Sequence, residues 1–429
     1  MLKKSDLQIE LLIPPNPYLG DEKRNPPLGL LYIASVAEKN GYPVRITDLR
    51  SKKLEEFQGL IGDADIYGVT ASTPDYPMAL EIARIAKHKN SSSWTVLGGI
   101  HATAVPKNIL PDFDKIVIRE GEYSFLQILE DYKNGRKDQR FYESPYITNL
   151  DEIPFPARHL LPFDSVFSKN ALSINGDYAG TLITARGCPH KCSFCSSDAM
   201  WGKRVRFRSP DNIIGELDEM IKKGVRSFRF QDDTMVLKKE RLTELCNKMI
   251  PLEIKWRTTT RVDHADLDML NLMKDAGCEE VAFGIESLLS EVWNINSKHI
   301  NMVQIHDALE NTRKAGLKSR LFFIIGLPGE KPGFANRLEE FLKRENPHGV
   351  DVSTMVPYPG SDLFNNPQKY GFVLKPEDFS LYHMTLGLRT GEAERSLTFI
   401  HDTMTQEQII YERQQALEII KQRKLIKNI

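Results

Sequence analysis

Short apolar runs separated by amphipathic stretches recur along most of this 429-residue chain, in two successive blocks. A strand that is followed by a helix and then by another strand of the same sheet must cross over. The crossover is right-handed and gives a parallel sheet covered by helices, an α/β architecture. In the first block, strand-like runs at 7–13, 44–49, 65–70, 94–97 and 115–118 alternate with helix-spaced stretches at 28–39, 78–87 and from 122 onward. This pattern predicts a doubly wound domain over 1–140. Ligands of such a sheet sit beyond the carboxyl ends of its strands, here 14–16, 70–73, 98–101 and 120–122. Residues 141–178 are rich in Pro and Asp with weak periodicity and read as a linker packed between domains. Alternation restarts with strands at 181–185, 227–231, 254–259, 281–285, 319–325 and 350–356. Six βα-like units over 179–365 predict a partial (β/α)6 barrel whose chemistry lies at the C-terminal strand ends. The polar segment 366–429 is expected to be mainly helical.

Cysteine usage narrows the chemistry. Of five cysteines, Cys188, Cys192 and Cys195 fall within eight residues, in TARGCPHKCSFCSS (184–197). An odd, crowded set is no disulfide framework and points to a metal site in a reducing compartment. Structural zinc needs four protein ligands. Three thiolates on one loop instead suit an iron–sulfur cluster with one iron left open to a substrate or cofactor. Cys246 and Cys278 read as small buried hydrophobes. Charge is balanced, 57 basic against 58 acidic residues, so no global field favours nucleic acid or an anionic membrane. No apolar run reaches the length of a membrane span, and the N-terminus lacks the pattern of a signal peptide, so a cytoplasmic location is expected.

The spacing C-x3-C-x2-C after the first barrel strand resembles the cluster motif of the radical S-adenosylmethionine (SAM) superfamily, whose open iron takes the amino and carboxyl groups of SAM. The resemblance implies a [4Fe–4S] cluster on Cys188, Cys192 and Cys195, with the Phe194 backbone near the adenine. Later segments follow in order. FRFQDDT (228–234) puts Asp232 and Asp233 at the second strand's end, either as solvated acids or as partners of SAM or the substrate; Asp232 is the expected catalytic carboxylate. WRTTTRVD (256–263) offers Arg257 and Arg261 as carboxylate clamps, four apart and therefore on one strand face. VAFGIES (281–287) resembles the fourth-strand motif, placing Glu286 at the ribose or methionine part of SAM and giving it a catalytic role. FFIIGLPGE (322–330) resembles the fifth-strand motif at the adenine, with Gly326 retained and Phe322 where the family usually has glycine. The basic stretch GKRVRFRSP (202–210) reads as an edge strand with solvated arginines rather than an RNA contact.

The first block resembles the Rossmann-like cobalamin-binding domain of one branch of that superfamily, in PPLGLLYIAS (26–35), GYPVRITD (41–48), GVTAST (68–73) and LGGIHATAVP (97–106). By this resemblance Thr70, Ser72, Thr73, Gly98, Gly99 and His101 are the candidate cobalamin contacts. There is no D-x-H-x-x-G loop, so cobalt is expected to lack a histidine from the protein. The resemblance implies a methyltransferase that generates a 5′-deoxyadenosyl radical and uses methylcobalamin as methyl donor. Cyclisation and rearrangement remain open on the same architecture. A tRNA-modifying methylthiotransferase fits less well, since residues 1–187 contain no cysteine. The expected partners are a small-molecule or peptide substrate and a flavodoxin- or ferredoxin-type electron donor, with no membrane and no nucleic acid.

Overall fold

The computed structural model describes residues 3–16, 19, 21–167, 169, 176–375, 379–382 and 397–425. The first block folds into six parallel strands: β1 (Ile9–Ile13), β2 (Val44–Asp48), β3 (Ile66–Thr70), β4 (Trp94–Gly98), β5 (Lys115–Ile118) and β6 (Phe141–Glu143). Their order is β2-β1-β3-β4-β5-β6, so the winding reverses between β1 and β3, where such sheets open a crevice. Strand period two divides the core. Leu11, Val96 and Val117 pack with helices Leu28–Lys39 and Glu122–Lys133, whereas Leu12, Val69, Leu97 and Ile116 pack under helix Tyr76–Lys89. β6 lies at the start of the stretch read as a linker. Its three residues are too few for alternation to show.

The rest of that stretch bridges both halves. Ala157 N–H donates to Leu31 O (3.0 Å), and Arg158 reaches Thr181 O (2.9 Å) and Glu216 (2.5 Å) in the second half. There, β7 (Ala179–Leu182) leads to a two-stranded antiparallel ribbon, β8 (Ala185–Arg186) with β9 (Arg206–Phe207). The sheet continues with β10 (Ser227–Phe230), β11 (Lys255–Thr260), β12 (Cys278–Glu286), β13 (Lys318–Ile325) and β14 (Gly349–Thr354). All six main strands are parallel, in the order β14-β13-β12-β11-β10-β7, with helices between successive strands. β7 and β14 form the two edges, so the barrel is partial.

Of the three arginines of 202–210, Arg204 is exposed as expected and the other two are not. Arg206 and Arg208 are buried in ion pairs with Glu120 and Glu216. Alternation placed the strand correctly, but the neutralising carboxylates come from the N-terminal half (Glu120) and from the helix that follows (Glu216). At the C-terminus, helix Gln406–Gln422 packs along β14 and helix Phe334–Glu345. Glu412 accepts from the N–H groups of Gly333 and Ala335, which satisfies donors at that helix's start. Phe379 reaches back to the first half and packs on Tyr76 and His101.

Candidate active site

The cluster loop is shaped by a buried carboxylate. Asp232 accepts from Thr184 N–H (2.7 Å), Ala185 N–H (3.2 Å) and the Thr184 hydroxyl, while Arg241 holds Thr184 O (3.0 Å). Burial raises its pKa, and those hydrogen bonds only partly offset the effect. Asp232 therefore turns the chain from β7 into the loop and does not line the cavity. The carboxylate that lines it is Asp233, which accepts from Ser197 Oγ (2.5 Å). β10 ends at Phe230, so strand parity no longer decides which of the two acids faces inward.

Gly187 follows with φ +104°, and a Cβ there would lie 2.6 Å from Arg204 O, which only glycine tolerates. Cys188, Cys192 and Cys195 then border a cavity of about 420 Å³ at the C-terminal ends of the strands. Ser193 pins the loop through Asn296 (2.6 Å side chain to side chain, 3.1 Å backbone to backbone). Ser197 N–H donates to Cys195 Sγ (3.5 Å), a contact that stabilises thiolate. Burial raises the Cys188 and Cys192 thiols, so three adjacent thiolates need a positive centre beside them. Among the described residues, no three His, Cys, Asp or Glu side chains converge on the point one ion would take. The thiols are set around a cavity instead, which fits a multi-iron cluster.

Phe194, Arg261 and Glu286 line the same cavity, joined by Lys298, Asp233, Phe322 and Ile324. Glu286 sits at φ +68°, just after a register shift in β12, and this bulge turns its carboxylate inward. It meets Lys298 Nζ at 2.9 Å. Gly284 makes room for the pair, because a Cβ there would be 2.3 Å from Glu286 Oε1 and 3.0 Å from Lys298 Nζ. Burial lowers the Lys298 pKa, but Glu286 and Cys192 outweigh it and hold the ammonium charged. Lys298 carried no sequence signal, since it stands in a loop outside every motif. Arg261 donates to Asp263 (2.9 and 3.0 Å) and Lys298 O (2.8 Å), and its buried Nη1 has no hydrogen-bond partner.

Two expected residues lie elsewhere. Gly326 faces the C-terminal helix, where a Cβ would lie 3.1 Å from Ile409 Cδ1, and the fifth strand lines the cavity through Phe322 and Ile324. Arg257 lies lower on β11, paired with Glu280 at 3.5 Å.

A second, narrower groove of about 160 Å³ runs along the N-terminal sheet under helices Leu28–Lys39 and Glu122–Lys133. Gly29, Gly68, Gly98, Gly99 and Gly121 line it together with Thr70, Leu11, Val96, Val117 and Phe125. Gly99, at φ +94°, brings the backbone within 2.7 Å of Ala71 O at its missing Cβ. The groove is mainly apolar, with Arg119, Glu120, Glu122 and Arg186 also in its lining, and suits an aromatic group such as the nucleotide base of a corrinoid tail. Ser72, Thr73 and His101 are not part of its lining. Ser72 bonds Asp75 (2.5 Å), and His101 bonds Thr73 (3.3 Å) and stacks on Tyr76 (4.3 Å). Burial drives the His101 pKa down to about 4.

One helical turn separates the two spaces. In Ser197–Trp201, Ser197 borders the thiol cavity, and Met200 and Trp201 border the groove. Beside it, Arg186 bridges Glu120 (2.8 Å) and Glu122 (2.6 Å), and Arg206 also binds Glu120 (2.6 Å). All four side chains are buried, and Arg186 lies over the rings of Trp201 (5.0 Å) and Tyr32 (5.3 Å).

With this geometry, comparison with known proteins is decisive. Residues 182–342 match the family model of the radical SAM superfamily, and residues 22–129 match that of the B12-binding domain. The chain is 33% identical over 363 residues to an uncharacterised methyltransferase of Pyrococcus horikoshii, covering 79% of this chain and 78% of that protein. The chain belongs to the radical SAM superfamily, in its cobalamin-binding branch. It is an enzyme, and its cofactors are a [4Fe–4S] cluster, SAM and cobalamin. It is also 29% identical over 420 residues to the anaerobic magnesium-protoporphyrin IX monomethyl ester cyclase of Rubrivivax gelatinosus, covering 89% of this chain and 74% of that one. The fold is shared with the radical SAM methyltransferase TsrM of Kitasatospora setae, solved with cobalamin and a [4Fe–4S] cluster (TM-score 0.68, 14% identity, 89% of this chain and 80% of that one). Among the described residues, no helix of this radical SAM protein is long and apolar enough to cross a membrane.

Proposed function

We propose that the protein is a cobalamin-dependent radical SAM methyltransferase. The observation that carries this reading is the adjacency of the thiol-lined cavity and the glycine-lined groove across the single turn Ser197–Trp201. Similarity to a methyltransferase of Pyrococcus horikoshii favours methyl transfer as the outcome. When bound, the cluster and SAM supply hydrogen abstraction and cobalamin supplies the methyl group.

The protein's own residues bind, orient and exclude water. Cys188, Cys192 and Cys195 are the cluster ligands in this reading, and Ser197 N–H steadies the third. Arg261 presents an unused Nη1 donor to the cavity and Lys298 an ammonium, and both attract a carboxylate. Glu286 and Asp233 supply acceptors for an ammonium or for ribose hydroxyls. Phe194, Phe322 and Ile324 form apolar walls that keep water from a reactive centre. In the groove, Thr70, Gly98 and Gly99 would hold the nucleotide tail of the corrinoid, while Ser72, Thr73 and His101 support the strand ends behind them. His101 itself lies outside the groove lining. A flavodoxin- or ferredoxin-type protein delivers the electrons, and the cytoplasm, which keeps thiols reduced, is the setting.

A second reading, cyclisation or rearrangement, has the support of the resemblance to the cyclase of Rubrivivax gelatinosus. The deciding experiment is anaerobic reconstitution with iron, sulfide and hydroxocobalamin, followed by turnover with reductant and methyl-deuterated SAM. Methyl transfer predicts labelled product, with S-adenosylhomocysteine and 5′-deoxyadenosine rising together. Turnover without S-adenosylhomocysteine would move the enzyme to the second reading.

A further inference from the structure

Below the cavity the barrel interior carries a ladder of charged side chains. Arg229 on β10 and Arg257 on β11 are register partners, which puts their backbones about 4.8 Å apart. Arg257 bonds Glu280 (3.5 Å), Glu280 takes Arg320 (3.3 Å), and Arg320 takes Asp351 (2.7 Å), which lines the cavity. Arg229 falls outside this ladder. Its polar contact is the neutral side chain of Asn25 (2.9 Å), on the segment between β1 and the first helix. The preceding residue, Arg24, is half-buried, and its guanidinium has no hydrogen-bond or carboxylate partner among the described residues. Among the described residues, Arg24 and Arg229 thus stand beside this ladder without a carboxylate partner, where the barrel faces the ligand end of the N-terminal sheet. Burial and the repulsion of Arg24 and Arg257 hold Arg229 down at about 10. A protein gains nothing in stability from gathering like charges in a half-buried place. Arginine forks suit planar or tetrahedral oxyanions.

We propose that Arg24 and Arg229, backed by Arg257, bind an anionic oxo group, a carboxylate or a phosphate, presented to the side of the barrel that faces the N-terminal domain. The site deepens the methyltransferase reading, on which it rests for its place in the reaction, by assigning the substrate an acidic group. The corrinoid's phosphodiester shares this chemistry.

The test is thermal melting of the cluster-loaded protein with inorganic phosphate, methylphosphonate or acetate, against chloride at equal ionic strength. A bound anion raises Tm in a saturable way. The site predicts such a rise, at least about tenfold weaker binding in R229Q and R24Q, and binding within about threefold of wild type in R229K. Without anion, R229Q should melt no lower than wild type, because a repelled charge has been removed. A purely structural arginine predicts a lower Tm and no anion dependence. Phosphate that still binds after cobalamin loading assigns the site to the substrate, and phosphate displaced by cobalamin assigns it to the corrinoid. The proposal is overturned by absence of an anion-specific rise in wild type, or by unchanged binding in R229Q. Uncoupled 5′-deoxyadenosine formation by wild-type holoenzyme is read in parallel. If it is present without an anion effect, only the anion site fails. If it is absent, the radical reading fails on its own.

Discussion

The groove of the N-terminal sheet and the cavity of the barrel are separated by one turn of helix, yet they are made in opposite ways. The groove exists because side chains are missing: five glycines along its length leave a mainly apolar slot of about 160 Å³. The cavity exists because side chains converge: three thiols, Asp233, Glu286, Lys298 and Arg261 surround about 420 Å³. A slot shaped by backbone can hold a large rigid ligand by fit, with few polar contacts. A cavity of charges holds a small polar ligand by pairing and must keep each charge satisfied when that ligand leaves. The Glu286–Lys298 pair does this for the barrel. The Arg186–Glu120–Arg206 bridge fixes the distance between the two spaces.

That bridge gives the largest expected effect. Glu120→Ala leaves Arg206 buried without a carboxylate and Arg186 with Glu122 alone, a loss of about 3–5 kcal/mol. Denaturant unfolding should show it, with cluster and cobalamin content falling together. Loss of one cofactor alone would mean that the two sites are not mechanically joined.

Acid acts on the N-terminal half through His101. Its pKa in the folded protein, about 4, lies below the ordinary value of 6.5, so its contribution to stability is complete above 6.5 and is lost as pH falls towards 4. Two and a half units correspond to roughly 3 kcal/mol. His101→Phe should flatten the stability curve by about that much between pH 6.5 and 4, relative to wild type. An unchanged curve would show that His101 is not held neutral.

The two glycine-dependent sites can then be broken separately. Gly29 lines the groove with no atom within 4 Å of its missing Cβ, so Gly29→Leu has room for its Cβ and adds bulk at the slot. It should lower cobalamin retention about tenfold or more and leave iron content intact. Gly284→Ala places its Cβ against Glu286 and Lys298. It should slow 5′-deoxyadenosine formation about tenfold or more with cobalamin retained. If either variant loses both functions, the contrast drawn between the sites is wrong.

The smallest effects separate the adjacent acids. Asp232→Asn should cost about 1–2 kcal/mol through its hydrogen bonds to Thr184 and Ala185. Asp233→Asn should leave the melting temperature nearly unchanged and lower turnover several-fold.

The same contrast explains what could be read in advance. Spacing exposed the cluster cysteines, and motifs at the strand ends exposed Arg261, one residue past β11, and Glu286, which a bulge at the end of β12 turns inward. Parity fails beyond the strand end, which is why Asp232 and Asp233 could not be told apart. Lys298 reaches the cavity from a loop flanked by the left-handed residues Ser297 and His299, a path that no periodicity reports. Thr70, Gly98 and Gly99 fell in the groove because they end strands β3 and β4. Ser72, Thr73 and His101 lie two or three residues further on, where the chain has turned away. Gly326 belongs to a contact with Ile409, which is distant in sequence.

The central claim is that Cys188, Cys192 and Cys195 hold a [4Fe–4S] cluster that cleaves SAM. It is tested most directly by electron paramagnetic resonance of the anaerobically reconstituted, reduced protein before and after addition of SAM, with 5′-deoxyadenosine measured in the same samples. The account predicts a reduced-cluster signal that changes on SAM binding and 5′-deoxyadenosine in wild type, and neither in the triple Cys→Ala variant. Formation of 5′-deoxyadenosine at the wild-type rate in the triple variant would contradict it.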